Sequence, residues 1–364
     1  MIPTPYYRID LAAIAKNMAV IDQLCAASGA KALLALKCFA TWPAFDAMRD
    51  HMAGTTSSSL YELRLGAEKF GKETHAYSVA WAEDEIDEAV GHADKIIFNS
   101  IGQLERFEDR ASSIQRGLRL NPGISTSGFD LADPARQFSR LGEWDPAKIE
   151  AVLDRISGFM IHYNCENADF ELFDRQLAEI EARFGDLMMR VEWVSLGGGI
   201  HFTGKGYPVD KLAARLKAFA DRFGIQVYLE PGEAAITGTA TLEVSVLDIL
   251  DNGKRLAIVD SSVEAHMLDL LIYRLPAKME TSGSHSYQIC GKSCLAGDIF
   301  GDFTFANELK VGDRLSIADA AGYTMVKKNW FNGVKMPAIV LRDPDGTERV
   351  MREFGYADYA ASLG

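Results

Sequence analysis

Five cysteines in 364 residues (Cys25, Cys38, Cys165, Cys290 and Cys294) are too few and too scattered for a disulfide framework. Their number is odd, no C-x-x-C occurs, and the nearest pair is spaced C-x3-C without neighbouring ligands, so the usual structural zinc site is excluded. The expectation is no metal and a reducing, cytoplasmic setting. No run approaches the roughly 18 uncharged apolar residues of a membrane helix. The opening Met-Ile-Pro-Thr-Pro-Tyr-Tyr shows no basic head followed by an apolar core, so no export signal is visible. Positive charge is short as well: 38 Lys+Arg against 51 Asp+Glu leave a formal net charge of −13. That argues against binding to nucleic-acid phosphates or anionic lipid and is compatible with a cationic ligand. Low-complexity segments are missing too, and 48% apolar with 24% charged residues is an ordinary globular balance.

What is present is an alternation. Short β-like runs at 31–36, 53–58, 75–79, 94–98, 117–121, 157–162, 191–196 and 225–230 are separated by helical patterns. In the stretch 167–184, for example, Phe170, Phe173, Leu177 and Ile180 recur at three- and four-residue steps. Strands alternating with helices pair in parallel, because each parallel link needs a crossover. Eight units in about 200 residues predict a closed (β/α)8 TIM barrel rather than an open doubly wound sheet. After Pro231 the pattern changes to β-like segments at 236–250, 255–260, 286–291, 314–318 and 337–342, joined by turns such as Asp251-Asn252-Gly253 and Asp343-Pro344-Asp345-Gly346. The prediction is a barrel over 25–235 and a mostly antiparallel C-terminal β domain over 236–364. Residues 1–24 are assigned to the second domain, with the run Tyr6-Tyr7-Arg8-Ile9 as a candidate strand of its sheet.

Barrel chemistry sits at the C-terminal ends of strands. Lys37 follows the apolar run Ala32–Leu36, His162 ends the sixth strand, Gly197-Gly198-Gly199 follows the seventh, and Glu230 ends the eighth before Pro231-Gly232. Asn99-Ser100 and Asn121 end two others. Each has two readings. Lys37 is either a snorkelling strand-end lysine or a Schiff-base lysine whose amine is freed by desolvation. His162 is either a satisfied core histidine or an aromatic plate against a flat ring. The triple glycine is either a sharp turn or a phosphate loop, since barrel phosphate sites often follow strands seven and eight. Without G-x-G-x-x-G at the first βα turn, a dinucleotide fold gains little support. The second domain adds Cys290-Gly291-Lys292-Ser293-Cys294-Leu295-Ala296-Gly297-Asp298 and the loop-like Ala321-Gly322-Tyr323-Thr324 and Phe331-Asn332-Gly333.

In order along nearly the whole chain, these motifs resemble the fold type III pyridoxal-phosphate decarboxylases, which share the alanine-racemase barrel. Leu34-Ala35-Leu36-Lys37-Cys38 is similar to the lysine motif and Ile161-His162 to the ring-stacking histidine. Leu196-Gly197-Gly198-Gly199 resembles the phosphate loop, and Leu229-Glu230-Pro231-Gly232 the pyridine-partner motif. Gly291-Lys292-Ser293-Cys294-x-x-Gly297-Asp298 resembles the active-site cysteine motif, and Ala321-Gly322-Tyr323-Thr324 and Phe331-Asn332-Gly333 match later cofactor contacts. The resemblance implies pyridoxal 5'-phosphate as cofactor, with Lys37 holding it, His162 stacked on its ring and Glu230 beside its nitrogen. It places the phosphate on Gly197, Gly198 and Gly199 with Tyr323, and Gly232 within the cofactor contacts. It makes Cys294 the proton donor, presented at the interface of a homodimer.

Departures narrow the family. Glu233 stands where ornithine-type enzymes resemble Glu-Pro-Gly-Arg, and Leu295 replaces the acidic residue that follows the cysteine in ornithine- and diaminopimelate-type enzymes. With His162-Tyr163-Asn164-Cys165-Glu166-Asn167, the pattern most resembles the carboxynorspermidine (carboxyspermidine) decarboxylase family. That implies decarboxylation of a cationic polyamine-like substrate gripped by Glu233 and Asp269, with Asp298 and Arg274 also assigned to substrate. Three rivals are an ornithine- or diaminopimelate-type decarboxylase, a racemase, and a non-catalytic pyridoxal-phosphate homeostasis protein. The last lacks a C-terminal β domain.

Overall fold

The computed structural model describes residues 2–364. They divide into two compact units, one of 15–235 and one joining the segment up to residue 14 with 236–364. The first strand, β1 (Tyr6–Asp10), belongs to the second unit, and the helix Leu11–Ser28 begins directly after it. The division therefore falls at residue 14 rather than 24, because most of that helix belongs to the barrel.

Eight strands close the barrel in chain order: β2 (Lys31–Ala35), β3 (Gly54–Ser57), β4 (Glu73–Tyr77), β5 (Lys95–Phe98), β6 (Gln115–Arg119), β7 (Gly158–Met160), β8 (Trp193–Ser195) and β9 (Gln226–Leu229). All pairings are parallel, and β9 returns to β2 through Lys31 opposite Tyr228. β2 is buried from Ala32 onward, as a strand covered on both faces requires. Helix Phe170–Met188 buries Phe173, Leu177, Ile180 and Phe184, and its N-cap Asp169 accepts from the amides of Glu171 and Leu172. Leu33, Tyr77, Ile97, Met160, Trp193 and Tyr228 form one buried cluster. A Cβ on Gly117 or Gly158 would meet the Trp193 ring at 2.5 and 2.1 Å, so these glycines make room for the indole.

The second unit holds β10 (Ala240–Asp251), β11 (Arg255–Val259), β12 (His285–Cys290), β13 (Ile299–Phe305), β14 (Arg314–Ala318), β15 (Ala338–Arg342) and β16 (Glu348–Arg352). The sheet runs β13-β12-β11-β10-β1-β15-β16, with β14 also on β10. Every pairing is antiparallel except β1 with β15 and β11 with β12. A bulge between Val246 and Asp248 lets the long β10 serve β1 and β14 with one half and β11 with the other. Two strands, β13 and β16, lie outside the sequence expectation. β16 is an exposed edge rich in charge, so no buried alternation marks it. The expected strand start at 236 is instead the end of the short helix Glu233–Ile236. Among the described residues no helix is long and apolar enough to cross a membrane, and all five cysteines are free thiols.

Candidate active site

Beyond β2 the ladder continues for one bond, Leu36 N–H to Thr56 carbonyl (3.0 Å), and the chain then turns with Cys38 and Phe39 N–H both bonded to the Ala35 carbonyl. Lys37 sits at that turn. Its side chain lines a small cavity together with Ser57, Tyr77, Arg119, His162 and Glu230, all at the C-terminal ends of barrel strands. Burial pushes the Lys37 amine below the usual lysine range, Glu230 and Glu62 pull it back, and Arg119 pushes it further down. A desolvated amine of this kind spends more time neutral, the form that attacks a carbonyl.

The triple glycine links two of these residues. Gly198 N–H donates to His162 Nδ1 at 3.2 Å, so Nδ1 carries a lone pair and the ring's proton is on Nε2. Burial pushes the imidazole well below its ordinary range, with Lys37 and Arg119 adding to the effect, so the ring is neutral. Gly197 N–H donates to Ser195 Oγ at 3.2 Å, and the same hydroxyl donates to Glu230 Oε1 at 2.6 Å. The expectation that all three loop amides face a phosphate needs correction: the first two are occupied inside the barrel, which leaves Gly199. Glycine is required for close approach instead. A Cβ on Gly197 would lie 2.4 Å from His162 Nδ1, and one on Gly198 would lie 2.2 Å from the Glu230 carbonyl. Gly232 is similar, since its Cβ would meet Cys38 Cβ at 2.6 Å. Beside it, the Cys38 thiol donates to Glu233 Oε1 at 3.7 Å, which brings that carboxylate next to the residue following Lys37.

Three members of the cluster escaped sequence reasoning. Arg119, the last residue of β6, is buried, and its Nη1 donates to the Tyr77 hydroxyl at 2.7 Å. Tyr77 in turn donates to Asn99 Oδ1 at 2.8 Å. Arg119 Nε is buried without an acceptor, and no carboxylate pairs with the guanidinium among the described residues. Glu62 lies near Lys37, accepts from Ser58 N–H at 2.6 Å, and is pushed above the usual carboxylate range by burial. Ser59 caps the same helix through the Glu62 amide, so the sequence signal here, Ser-x-x-Glu, reads as a helix start. Asn99 braces Tyr77, Ser100 caps the helix Ile101–Phe107, and Asn121 holds a loop through the Pro134 and Leu141 carbonyls.

In the second unit, Cys294 is exposed on the loop between β12 and β13, and its N–H donates to Asn332 Oδ1 at 2.6 Å. Asp298 is buried, with Oδ1 accepting from Val263 N–H (2.7 Å) and Oδ2 from Ser293 N–H (3.0 Å) and Oγ–H (2.6 Å). Where the resemblance assigns it to substrate, the structure shows its carboxylate bracing the cysteine loop. Asp269 is paired with Lys327, whose ammonium also lies 5.1 Å from the centre of the Tyr323 ring. Arg274 closes the helix Leu268–Tyr273 in a left-handed conformation (φ 54°) and is exposed. Among the described residues no group of three or more His, Cys, Asp or Glu side chains is placed to hold a metal.

Comparison with known proteins shows the family and the fold. Residues 162–321 match the model of the pyridoxal-dependent decarboxylase C-terminal sheet domain. The chain is 62% identical to the carboxynorspermidine/carboxyspermidine decarboxylase of Herminiimonas arsenicoxydans, over 100% of both chains. It is 37% identical to the carboxyaminopropylagmatine decarboxylase of Synechocystis, over 100% of this chain and 96% of that one. Among solved structures, it matches the Campylobacter jejuni carboxynorspermidine decarboxylase complexed with norspermidine at 37% identity and a TM-score of 0.91, over 99% of this chain and 100% of that one.

Proposed function

This chain belongs to the carboxynorspermidine/carboxyspermidine decarboxylase family of pyridoxal-dependent decarboxylases, and on that premise we infer that it removes CO2 from carboxynorspermidine or carboxyspermidine to leave norspermidine or spermidine, in polyamine biosynthesis. One observation carries the reading. Lys37, Arg119, His162 and Glu230 share a single cavity at the end of the barrel where barrel enzymes do their chemistry.

The residues present fit pyridoxal 5'-phosphate. A buried guanidinium with an acceptorless Nε suits an anionic oxygen, and a desolvated lysine suits attachment to a carbonyl. Bound there, the cofactor supplies an electron sink for the pair left behind when CO2 departs. Lys37 would hold it covalently through its side-chain amine. His162, neutral and fixed by Gly198, offers a flat face to a ring. Glu230, tethered by Ser195, would keep a proton on the ring nitrogen. Gly199 is assigned to the phosphate.

Substrate grip is assigned to Glu233, whose carboxylate pairs with an ammonium group of the triamine tail. Asp269 serves the same end only where the substrate's ammonium replaces Lys327. Cys294 donates its thiol proton to the carbon that lost CO2 and is reprotonated from water. Homodimeric assembly and a cytoplasmic setting complete the proposal, and the net charge of −13 favours encounter with a polycation.

A second reading, decarboxylation of carboxyaminopropylagmatine, is favoured by the Synechocystis relative, which is as similar as the Campylobacter protein. Incubating the cofactor-loaded protein with each of the three acids, and with diaminopimelate and ornithine, and measuring CO2 and amine product decides between them. Highest kcat/KM on a carboxylated triamine is expected. A higher value on the guanidinium substrate selects the second reading, and turnover of diaminopimelate or ornithine alone overturns both.

A further inference from the structure

The loop that carries Cys294 is tied at its base and at its shoulder. Gly291 N–H reaches the Asp298 carbonyl at 2.8 Å, Asp298 N–H reaches the Leu295 carbonyl at 3.0 Å, and the Asp298 carboxylate grips Ser293. The bond to the cysteine's own peptide comes from elsewhere in the unit, from Asn332 Oδ1 at 2.6 Å, 38 residues along the chain. Without it, the peptide that sets the direction of the Cys294 side chain is free to rotate between two fixed neighbours.

Asn332 is itself held. It adopts a left-handed conformation (φ 56°, ψ 12°), which asparagine and glycine accept most readily. On one side, Phe331 N–H donates to Asn329 Oδ1 at 2.8 Å, and Asn329 Nδ2 donates to the Glu264 carbonyl at 3.0 Å. On the other, the C-terminal helix Tyr356–Ala361 lays Tyr359 against Trp330, with ring centres 5.7 Å apart. Tyr359 also covers Gly333, where a Cβ would sit 3.4 Å from its ring. Hydrogen bonds through Asn329 and the Tyr359 ring packed on Trp330 and Gly333 thus fix the turn that presents one amide oxygen to one peptide.

We propose that Asn332 is a positioning residue for Cys294: its side-chain oxygen orients the cysteine peptide so that the thiol is delivered to the reacting carbon, and the C-terminal helix keeps that oxygen in place. This rests on the assignment of Cys294 as proton donor. Positioning affects the proton-transfer step, so kcat falls while substrate affinity is left alone.

Two substitutions separate positioning from turn-making. Asn332→Gly keeps the left-handed turn and deletes the acceptor, whereas Asn332→Asp keeps both. In the cofactor-loaded enzyme, Asn332→Gly is expected to lower kcat about tenfold with KM nearly unchanged, and Asn332→Asp to recover most of that loss. Iodoacetamide labelling of Cys294, read by peptide mass, is expected to speed up about threefold in Asn332→Gly, as the thiol gains freedom. A glycine variant with unaltered kcat and unaltered labelling overturns the proposal. Should Cys294→Ala retain full kcat, the proton-donor assignment fails instead, and the labelling rate still decides whether Asn332 positions the cysteine.

Discussion

At the N-terminal end of the barrel, Glu73 Oε1 accepts from Lys95 Nζ (2.5 Å), the Tyr228 hydroxyl (2.7 Å) and His75 Nε2 (3.0 Å), while Oε2 faces Lys31 Nζ at 3.4 Å. At the C-terminal end, Arg119 keeps an acceptorless Nε, and Lys37 lies desolvated between positive and negative neighbours. The same residue types stand at both ends of one barrel. At the floor the carboxylate gathers its donors into one network, so its charges contribute to stability. At the mouth, Arg119 Nε stays without an acceptor. Among the described residues each end keeps one buried nitrogen without a partner, His75 Nδ1 at the floor and Arg119 Nε at the mouth. What separates the two clusters is that the floor carboxylate holds its donors while the mouth guanidinium has no carboxylate.

The sharpest test of the contrast is Lys37→Ala. Activity should fall more than about 1,000-fold and an absorption band near the visible edge should disappear, as the covalent tether is lost. Urea melts of the apo protein should show equal or slightly higher stability, because a desolvated amine is removed. A marked loss of stability would blur the distinction drawn here.

Glu73→Gln is the mirror experiment. Stability at pH 7 should drop by about 2 kcal/mol with kcat little changed, since three cationic or polar donors lose their charged acceptor. Burial alone raises the Glu73 carboxyl, but hydrogen bonds from His75, Lys95 and Tyr228 outweigh it and hold the group well below the usual carboxylate range. A depressed folded value means stability present above the unfolded carboxyl value of about 4.3 and lost as pH falls below it. Burial also holds the His75 imidazole below its ordinary range, so protonation of the unfolded chain below about pH 6.5 weakens the fold in the same direction. Acid titration of the variant should therefore show a shallower loss than the parent. An identical acid profile would count against the floor network.

A smaller effect is expected at Glu233. Glu233→Gln should raise KM for the triamine acids about tenfold, some 1.4 kcal/mol, with kcat within about twofold. Equal changes in kcat and KM would move Glu233 from gripping the tail to acting at the reacting centre.

Much of the barrel was legible before the structure. Continuous apolar runs such as Ala32–Leu36, separated by helical periodicity, mark buried parallel strands because burial on both faces leaves no other pattern. The C-terminal ends of those strands then point to Lys37, His162 and Glu230. Other features were not legible, for physical reasons. Arg119 closes a strand as an unremarkable polar residue, and only the closed barrel brings it to Tyr77, 42 positions away. Asp298 sits within a cysteine motif whose spacing says nothing about Val263, which occupies its Oδ1 from 35 positions upstream. Strand β16 carries charge on every face it shows, so alternation could not reveal it.

By itself, then, the sequence determined which segments become strands and helices, where the sheet type changes, and which residues stand at strand ends, because periodicity and turn chemistry act over a few neighbouring residues. Tertiary structure alone decided which polar groups are satisfied and which are left open. Hydrogen-bond partners such as Ser195 and Glu230, Cys38 and Glu233, or Cys294 and Asn332 meet only once the chain has closed on itself, and short-range pattern carries no record of that meeting.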